Sequence, residues 1–314
     1  MSSSNFVPGR PFQMSLDLWD DPSREEVLSP QEPEDPTVGL MEQAVSPLII
    51  AQAMRHVISN HGAPGIDGIS VSELPDLWAR HGARVCQVLL EGSYVPTPVR
   101  RVSIPKPDGG ERLLGIPTVM DRLVQQMLLL VLQPILDASF SDASYGFRPG
   151  RSAHDAVCKA RTYVDEGRSW VADIDLEKFF DTVHHDILMS KLSNRIADKR
   201  VLKVIRRYLK AGVLLGGVVI HSEEGTPQGG PLSPLLANFY LDDLDKKLES
   251  GGCCFVRYAD DCNIYFGSER AAKRGMAWIT EYMEVKLRLR VNRAKSAVAL
   301  TSKRRFPWVH DLPE

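Results

Sequence analysis

Helical and strand-like patterns alternate along the chain between about residue 46 and residue 300. Apolar residues at three- and four-residue spacing predict helices at 46–60, 119–140, 151–167, 184–212, 233–250 and 268–287. Runs rich in β-branched and aromatic residues predict strands on both sides of the turn "PDGG" at 107–110, at 169–176, as a hairpin at 213–225, as a pair at 253–267, and at 288–300. Because helices alternate with strands and hairpins, we expect an α+β domain built on a mixed or antiparallel sheet.

Residue types at the ends of several predicted helices support these assignments. Ser152 precedes one helix and is followed three residues later by Asp155, which is the pattern of a capping box. Ser233 and Pro234 open another helix, since proline suits the first helical turn. Gly212 ends the long helical segment before it, because glycine readily takes the left-handed conformation that closes a helix.

The first 45 residues differ from the rest of the chain in composition and charge. Residues 1–46 hold nine acidic residues, two arginines and six prolines, so their net charge is −7; the whole chain carries −2, which leaves +5 for the remainder. A segment so acidic and so poor in aliphatic residues buries too little apolar surface to fold alone, so we expect 1–45 to be disordered. Basic clusters of the body, such as "KRVLKVIRRYLK" at 199–210, are compatible with a nucleic-acid partner and equally with solvated helix faces.

Length and composition are those of a globular protein without a membrane span. The 314 residues suit one large domain or two modest ones, and 43% hydrophobic with 25% charged residues are ordinary values. The longest aliphatic run, Met127–Leu132, is far shorter than the roughly 18 apolar residues of a membrane helix. The first residues lack the apolar stretch of a signal peptide, and the five cysteines show neither a C-x-x-C pair nor zinc spacing. We therefore expect a cytoplasmic protein with reduced thiols and no membrane partner.

Two adjacent aspartates interrupt a β-prone stretch near the C-terminal end. Asp260 and Asp261 lie at the bend of "GGCCFVRYADDCNIYFG", and Asp175 ends another predicted strand. If these strands are neighbours, three carboxylates converge at one edge of the sheet and need cations to offset their repulsion. Oxygen ligands suit Mg²⁺, and two such ions about 4 Å apart stabilise an in-line phosphoryl displacement. Taken alone, however, an Asp-Asp pair at a turn is more often a solvated bend.

Five ordered motifs resemble those of reverse transcriptases. They are "VRRVSIPKPDGGERLLGIPTVMDRLVQQ", "SYGFRPGRSAHDAV", "ADIDLEKFFDTVHHDIL", "SEEGTPQGGPLSPLLANFYLDDL" and "RYADD". Together they are similar to the reverse-transcriptase domain that bacterial group II introns encode, over about 46–300. The sequence "YADD" alone is a weak signal, whereas five motifs in the family's order are specific.

The resemblance implies the fingers and palm of a right-hand polymerase, with a ferredoxin-like palm sheet and helices. It places the fingers at about 46–168 and in part of 186–235, and the palm in the rest of 46–300. The family's chain normally continues with an "FLG"-type primer-grip motif and a helical thumb. We expect no thumb domain here, because "KSAVAL" is followed only by the tail 301–314. Without a thumb, fewer phosphate contacts hold the duplex, so primer extension should be weak and salt-sensitive.

The resemblance assigns catalytic and metal-binding roles to residues of two motifs. Asp175, Asp260 and Asp261 match the family's catalytic aspartates, and the backbone carbonyl of Leu176 completes the shell of one of two Mg²⁺ ions. Asp173, two residues before Asp175 on the same strand face, is a competitor for the first of these roles. The spacing in "DLEKFFD" favours Asp175 and leaves Asp173 a structural role.

Other positions match the family's substrate-binding residues. Lys106 and Arg112 flank the "PDGG" turn and would hold the triphosphate of the incoming nucleotide. Phe180 would lie under the sugar and exclude a 2′-hydroxyl, unless it is only a core aromatic beside Phe179. The histidines of "VHHD" match as well, and we expect both to be structural. The remaining assignments are Gln228 and Gly229 at the nucleotide, Lys295 at the pyrophosphate, and Arg148, Arg151 and Tyr258 on the nucleic acid.

The implied function is RNA-directed DNA synthesis from deoxynucleoside triphosphates, with an RNA template, a DNA primer and group II intron RNA as partners. Two alternatives stay open. One is a non-catalytic maturase fragment that binds intron RNA in splicing, although the retained aspartates argue against it. The other is a defence, diversity-generating or RNA-synthesising relative; Phe180 favours deoxynucleotides, and "IPKPDGGERLLGIP" favours an intron origin.

Overall fold

The computed structural model of the protein describes residues 35–106, 110–215, 218–220, 224–225 and 229–303. From Pro36 onward these residues belong to one compact unit. The expectations for the first 34 residues, for the tip of the "PDGG" turn, for Gln228 and for the tail after residue 303 concern residues outside this set.

Helices and strands alternate in the described residues, as the sequence pattern predicts. The α-helices are α1 (Leu40–Ala44), α2 (Pro47–Ser59), α3 (Leu74–Leu90), α4 (Val119–Asp137), α5 (Ala153–Asp165), α6 (Phe179–Thr182), α7 (His185–Ser193), α8 (Lys199–Lys210), α9 (Ser233–Ser250) and α10 (Glu269–Val285). The strands are β1 (Val99–Lys106), β2 (Gly110–Ile116), β3 (Trp170–Ile174), β4 (Val213–Leu215), β5 (Val218–Ile220), β6 (Cys254–Tyr258), β7 (Asp261–Phe266) and β8 (Ala297–Leu300). Short 3₁₀ helices occupy Val71–Glu73 and Thr301–Lys303.

Three helical regions differ from the sequence prediction. Residues 1–45 are expected to be disordered, but Leu40–Ala44 within them form α1, because Leu40 and Met41 pack into the main core and the N–H of Met41 donates to the carboxylate of Asp198 at 3.0 Å. The segment 184–212, predicted as one helical stretch, forms α7 and α8 with a break at 194–198. Asp198 explains the break, because its carboxylate accepts the backbone N–H of Arg200 at 3.0 Å and so caps α8. The sequence pattern assigns no element to α3, where Pro75 and Gly82 weaken the helical signal. In the fold, Pro75 lies in the first turn and Gly82 is buried, so neither interrupts the helix.

The sheet expected for the palm is antiparallel, with strand order β6-β7-β3-β8. The chain enters through β3, passes through helices and the β4–β5 hairpin of another sheet to the hairpin β6–β7, and returns through α10 to β8. This is the order of a split, ferredoxin-like βαββαβ unit. The predicted α+β class with a ferredoxin-like palm sheet is therefore confirmed.

Helices cover both faces of the palm sheet. Successive side chains of a strand point to opposite faces, and we call the face toward α5 the front face. The front face, given by the strand register, includes Val171, Asp173, Cys254, Val256, Tyr258, Asp261, Asn263 and Tyr265. The reverse face packs against α9 and α10 in the main hydrophobic core. The turn between β6 and β7 therefore lies at one end of a sheet that is supported from both sides.

A second four-stranded sheet lies in the part of the chain expected for the fingers. Its strand order is β2-β1-β4-β5, with β1 antiparallel to β2 and parallel to β4. The hairpins predicted around "PDGG" and at 213–225 are present as β1–β2 and β4–β5. The described fold is thus built on one antiparallel and one mixed sheet.

Helix α4 forms much of the core beside this second sheet. Among the described helices it is the one long and apolar enough to span a membrane, but 67% of its apolar window is buried inside the protein, as in a core helix. Its first turn is fixed by Asp121, whose carboxylate accepts hydrogen bonds from the hydroxyls of Tyr94 at 2.7 Å and Thr118 at 2.8 Å. Burial raises the pKa of Asp121, and these bonds offset the cost of burying it.

Candidate active site

Asp175 lies directly after β3, at the end of the palm sheet. Its backbone N–H donates to the Ser296 hydroxyl at 3.0 Å, and its carbonyl accepts the N–H of Asn292 at 2.9 Å. The next residue, Leu176, is buried and forms an isolated β-bridge with Val291. The backbone that carries the first carboxylate is therefore tied to the segment before β8.

Asp260 and Asp261 lie at the turn of the hairpin β6–β7. Tyr258 pairs with Asp261 across the turn. Between them, Ala259 takes the left-handed conformation with a φ of 57°. The tight reversal places two acidic residues in succession at the end of the hairpin, as the sequence analysis predicts.

The strands that carry these two motifs are neighbours. β3 pairs with β7, and Ile174 lies opposite Cys262 at the end of their ladder. Asp175 follows Ile174 and Asp261 precedes Cys262, so both acidic residues leave the same end of the sheet. The predicted adjacency of the two strands is confirmed.

The carboxylates at this end of the sheet affect one another. The pKa of Asp261 is raised to about 7, first by burial and then by the negative charges of Asp260, Asp175 and Asp173. The positive charge of Lys295 opposes this effect. A cation would stabilise such a carboxylate, and the oxygen donors present are those that hard divalent ions prefer.

The carboxylates line an open space, which we call the carboxylate cavity. They do not form a closed cluster of metal ligands. In the described part of the chain, no three His, Cys, Asp or Glu side chains lie close enough together to hold a metal ion. The cavity has a volume of about 510 Å³. Its lining includes Asp175, Leu176, Phe180, Asp260, Asp261 and Lys295. Six of the residues predicted for the site therefore meet at one cavity whose chemistry fits a cation without a preformed cage.

The two phenylalanines of "EKFFD" have different environments. Phe179 is 2% exposed and belongs to the main core, whereas Phe180 is half-buried. Phe180 lines the carboxylate cavity and also a second space of about 540 Å³, which we call the adjoining cavity. The core position thus belongs to Phe179, and Phe180 lies where the two cavities meet.

Two glycines hold the "GTPQGG" motif close to these cavities. Gly229 lines the adjoining cavity with a φ of 125°, and a Cβ there would lie 2.7 Å from the carbonyl oxygen of Gly115. Gly225 donates its N–H to the carbonyl of Val183 at 2.8 Å, and a Cβ there would lie 3.1 Å from the backbone of Asp181. Any side chain at either position would be strained and crowded.

His185 anchors the same motif, in agreement with the structural role expected for it. Its Nε2–H donates to the carbonyl of Gly225 at 2.6 Å, and the side chain is buried. Burial lowers the pKa of His185, so the neutral imidazole is the form that the fold favours.

Comparison with protein families identifies the family of this chain. Residues 104–309 match the family model described as "Reverse transcriptase (RNA-dependent DNA polymerase)". The chain belongs to the reverse transcriptase family. The residues that line the carboxylate cavity all lie within the matched segment of this reverse transcriptase.

Related proteins include intron-encoded members of the family. Protein YkfC of Escherichia coli (strain K12) is 37% identical over 76% of this chain and 65% of its own length. The group II intron-encoded protein LtrA of Lactococcus lactis subsp. cremoris is 37% identical over 66% of this chain and 34% of its own length. The chain therefore spans only part of both relatives. The resemblance to group II intron-encoded reverse transcriptases is confirmed.

The solved structure of another protein agrees in fold. Telomerase from Candida albicans, in complex with a fragment of telomeric RNA, superposes with a TM-score of 0.51 at 15% identity. The match covers 67% of this chain and 42% of the telomerase chain. At this identity the likeness concerns the fold alone.

In this reverse transcriptase Arg148 is an internal residue, which corrects its predicted contact with nucleic-acid phosphates. Its side chain is 4% exposed, and its guanidinium makes five hydrogen bonds. The acceptors are both carboxylate oxygens and the carbonyl of Asp137, together with the carbonyls of Ser141 and Ser144. Five bonds use every donor of a guanidinium, so none is left for a phosphate.

Arg151 and Tyr258, also predicted on the nucleic acid, lie nearer the surface. Arg151 is 25% exposed and donates to the carbonyl and the carboxylate of Asp142 at 2.6 and 2.5 Å. Tyr258 is half-buried and packs at the margin of the smaller hydrophobic cluster, which α5 forms with the front face of the palm sheet. Their contact with nucleic acid stays a prediction.

Lys106 and Arg112, predicted to hold the triphosphate, lie on the paired strands of the hairpin β1–β2. Lys106 is opposite Gly110, and Arg112 is opposite Ile104. Their side chains are outside the part of the chain that the structure describes. The hairpin carries the backbone of both residues, and the phosphate contact stays a prediction.

Sequence reasoning missed Arg257, which supports the aspartate turn from the reverse face. Arg257 is fully buried; it donates to the two carboxylate oxygens of Asp245 at 2.7 and 2.5 Å. It also donates to the side-chain oxygen of Asn238 at 2.9 Å and to the carbonyl of Ala259 at 2.8 Å. The signal available in the sequence was an arginine at a position of β6 that alternation assigns to the core.

Proposed function

We propose that this reverse transcriptase is an RNA-directed DNA polymerase of the group II intron type. It would transfer a deoxynucleotide from a dNTP to the 3′-hydroxyl of a primer, opposite an RNA template. The observation that carries the proposal is that Asp175, from one family motif, and Asp260 and Asp261, from another, border a single cavity together with Phe180.

Nucleotidyl transfer by this family generally requires a divalent metal ion, and we propose two Mg²⁺ ions. Asp175, Asp260 and Asp261 would hold them with the carbonyl of Leu176, and the ions would neutralise charge on the reacting phosphates. Carboxylate donors and the raised pKa of Asp261 support the assignment, because both reflect negative charge that a cation offsets.

The chain's own residues would select and position the nucleotide. Phe180, where the two cavities meet, would lie under the sugar and leave no room for a 2′-hydroxyl. Gly229 would allow the nucleotide to approach the backbone. Lys295 would place a positive charge in the carboxylate cavity, near the departing pyrophosphate. Lys106 and Arg112 would hold the triphosphate from the hairpin β1–β2.

The proposed partners are an RNA template, a DNA primer and group II intron RNA. The similarity to LtrA supports an intron origin. A splicing cofactor that binds intron RNA without chemistry is compatible with the same fold, but the three aspartates at one cavity favour DNA synthesis. Measuring intron splicing and primer extension on the same preparation distinguishes the two functions.

Primer extension tests the proposal directly. The full chain is supplied with poly(rA), oligo(dT), dTTP and Mg²⁺. Asp260→Asn should abolish incorporation while the circular dichroism spectrum stays that of the wild type, because the substitution removes a charge from a cavity and not from the core. Asp165→Asn is the matched control: its carboxylate is 72% exposed at the end of α5, so incorporation should be unchanged. No incorporation by the wild type, or full incorporation by Asp260→Asn, would refute the proposal.

A further inference from the structure

Phe147 combines a large apolar side chain with high exposure and a left-handed backbone. It is 52% exposed and has a φ of 59°. Residues other than glycine rarely adopt this conformation, because Cβ then approaches the following carbonyl oxygen. Phe147 also belongs to neither hydrophobic cluster of the described residues. The fold thus holds this ring in a strained conformation without using it in a core.

The flanking residues impose the conformation. Before Phe147, Gly146 packs against the aspartate turn: a Cβ there would lie 2.3 Å from the backbone nitrogen of Ala259, and its carbonyl accepts the Asn238 amide at 2.8 Å. After Phe147, the five hydrogen bonds of Arg148 fix the chain. Backbone strain that the surroundings enforce is typical of functional positions.

The ring of Phe147 lines the adjoining cavity. Other walls of this cavity come from Phe180, from Gly229 and Gly230 of the "QGG" motif, and from Leu114 of β2. Because Phe180 also lines the carboxylate cavity, the two spaces meet at its side chain. An exposed aromatic ring therefore faces the space next to the three aspartates.

We propose that Phe147 is a stacking platform for a nucleobase in the adjoining cavity, an inference that rests on the proposed function. With the phosphates of the incoming nucleotide at the carboxylates and its sugar at Phe180, its base and the paired template base extend beyond Phe180. That direction leads into the adjoining cavity. Every base has a flat π face that packs on an aromatic ring, so such a platform tolerates any sequence.

The rigid mounting of Phe147 suits this role. A ring that is already ordered loses little conformational freedom when a base packs on it. Phe140, from the same stretch of chain, provides the contrast: it is 7% exposed, belongs to the main core and lies 5.5 Å beneath the Arg148 guanidinium. This stretch therefore buries Phe140 in the core and exposes Phe147 at the adjoining cavity.

Fluorescence of 2-aminopurine tests the stacking without requiring catalysis, since stacking quenches this base analogue. In one arm it is the first unpaired base of an RNA template annealed to a DNA primer. In the other arm it is the incoming deoxynucleoside triphosphate, with a chain-terminated primer. The arms distinguish the template base from the incoming base. Binding to the full wild-type chain should quench the fluorescence in at least one arm.

Two substitutions separate the ring from the backbone. Phe147→Asn keeps a residue that tolerates the left-handed conformation but removes the ring. It should abolish the quench and weaken affinity for that probe by roughly 5- to 100-fold, the effect of losing one base–aromatic stack. Phe147→Trp keeps an aromatic face and should retain both the quench and the affinity.

Val285→Asn is the matched control, because Val285 is 65% exposed at the end of α10 and lines neither cavity. It should bind and quench as the wild type does, and melting temperatures establish that every variant is folded. If Phe147→Asn shows the quench and the affinity of the wild type in both arms, the inference about Phe147 is wrong and the proposed function is unaffected. A wild-type chain that neither binds nor extends a primer would overturn the proposed function as well.

Discussion

Replacing Arg257 by methionine tests how the aspartate turn is held. The substitution keeps a long apolar side chain and removes the guanidinium. Four hydrogen bonds are lost: two to Asp245, one to Asn238 and one to the carbonyl of Ala259. Both side chains of the ion pair are 0% exposed, so bulk water does not replace the lost donors.

The unpaired carboxylate of Asp245 sets the expected cost. Removing one partner of a buried ion pair costs about 3–5 kcal/mol, because the other charge stays in a low-dielectric interior. Against a typical stability of about 5–15 kcal/mol, the variant should still fold. For a domain of this size about 1 kcal/mol corresponds to about 2–3 °C, so we expect the melting temperature to fall by roughly 6–15 °C.

A double substitution separates stability from positioning. Arg257→Met with Asp245→Leu removes both charges of this buried ion pair, and apolar replacements of buried ion pairs are often neutral for stability. Most of the lost melting temperature should return. The carbonyl of Ala259 still lacks its donor, so the turn that carries Asp260 stays unsupported. We expect kcat to remain roughly tenfold to hundredfold below wild type, since small misplacements of reacting groups have effects of this size.

Thermal melting and steady-state primer extension measure the two effects. Arg257→Lys is the conservative control: it keeps a positive charge but not the planar fork that reaches acceptor atoms of three residues, so it should rescue only part of the stability. The reasoning is wrong if Arg257→Met melts with the wild type, or if the double variant has the wild-type kcat.

Three further predictions concern the site and its supports. Phe180→Ala should raise the ratio of ribo- to deoxynucleotide kcat/KM; an unchanged ratio would make Phe180 only a packing residue. Gly225→Ala should cost about 1–3 kcal/mol of stability and raise the dNTP KM. The alanine would have to adopt a φ of 93°, and its Cβ would lie 3.1 Å from the backbone of Asp181. Gly167→Ala, at a φ of 89° with nothing nearby, is the control for strain alone and should leave KM unchanged. Burial lowers the pKa of His185, so below about pH 6.5 the unfolded chain binds a proton that the folded chain does not. Stability measured by urea denaturation should therefore fall as the pH decreases below that value, and His185→Gln should flatten the fall; equal slopes would contradict the assignment.

The palm elements could be predicted from the sequence because their signals are local. The capping box of Ser152 and Asp155 marks the start of α5, and the structure contains it, with the Asp155 N–H 3.2 Å from the Ser152 hydroxyl. To predict that the aspartates at the strand ends converge, one further condition is needed: β3 and β7 must be neighbours. The order of the motifs supplied this condition. The competing aspartate is separated by burial: Asp173 is 2% exposed and accepts the Asn263 amide at 2.9 Å, whereas Asp175 lines the carboxylate cavity.

The roles of Arg148 and Arg257 could not be predicted, because the charge of a side chain does not report its burial. Each pairs with an acidic residue on another element, Asp137 at the end of α4 and Asp245 in α9. The paired residues are only 11 and 12 positions apart, but the pairings depend on how a loop and a strand fold back against the helices that precede them. Both arginines carry the positive charge that a phosphate-binding residue also carries, so only the packing distinguishes a structural arginine from one that binds phosphate.

The order of residues in "RYADD" follows from a strand that ends in a turn. In β6, Arg257 points to the reverse face and Tyr258 to the front face, and the left-handed Ala259 then reverses the chain. A shift of the arginine by one position would bring the guanidinium to the front face and leave Asp245 unpaired in the core. On the front face it would form ion pairs with the aspartates and compete with any cation they bind. Placing the positive charge behind the sheet supports the turn and leaves the negative charge of the aspartates available at the cavity.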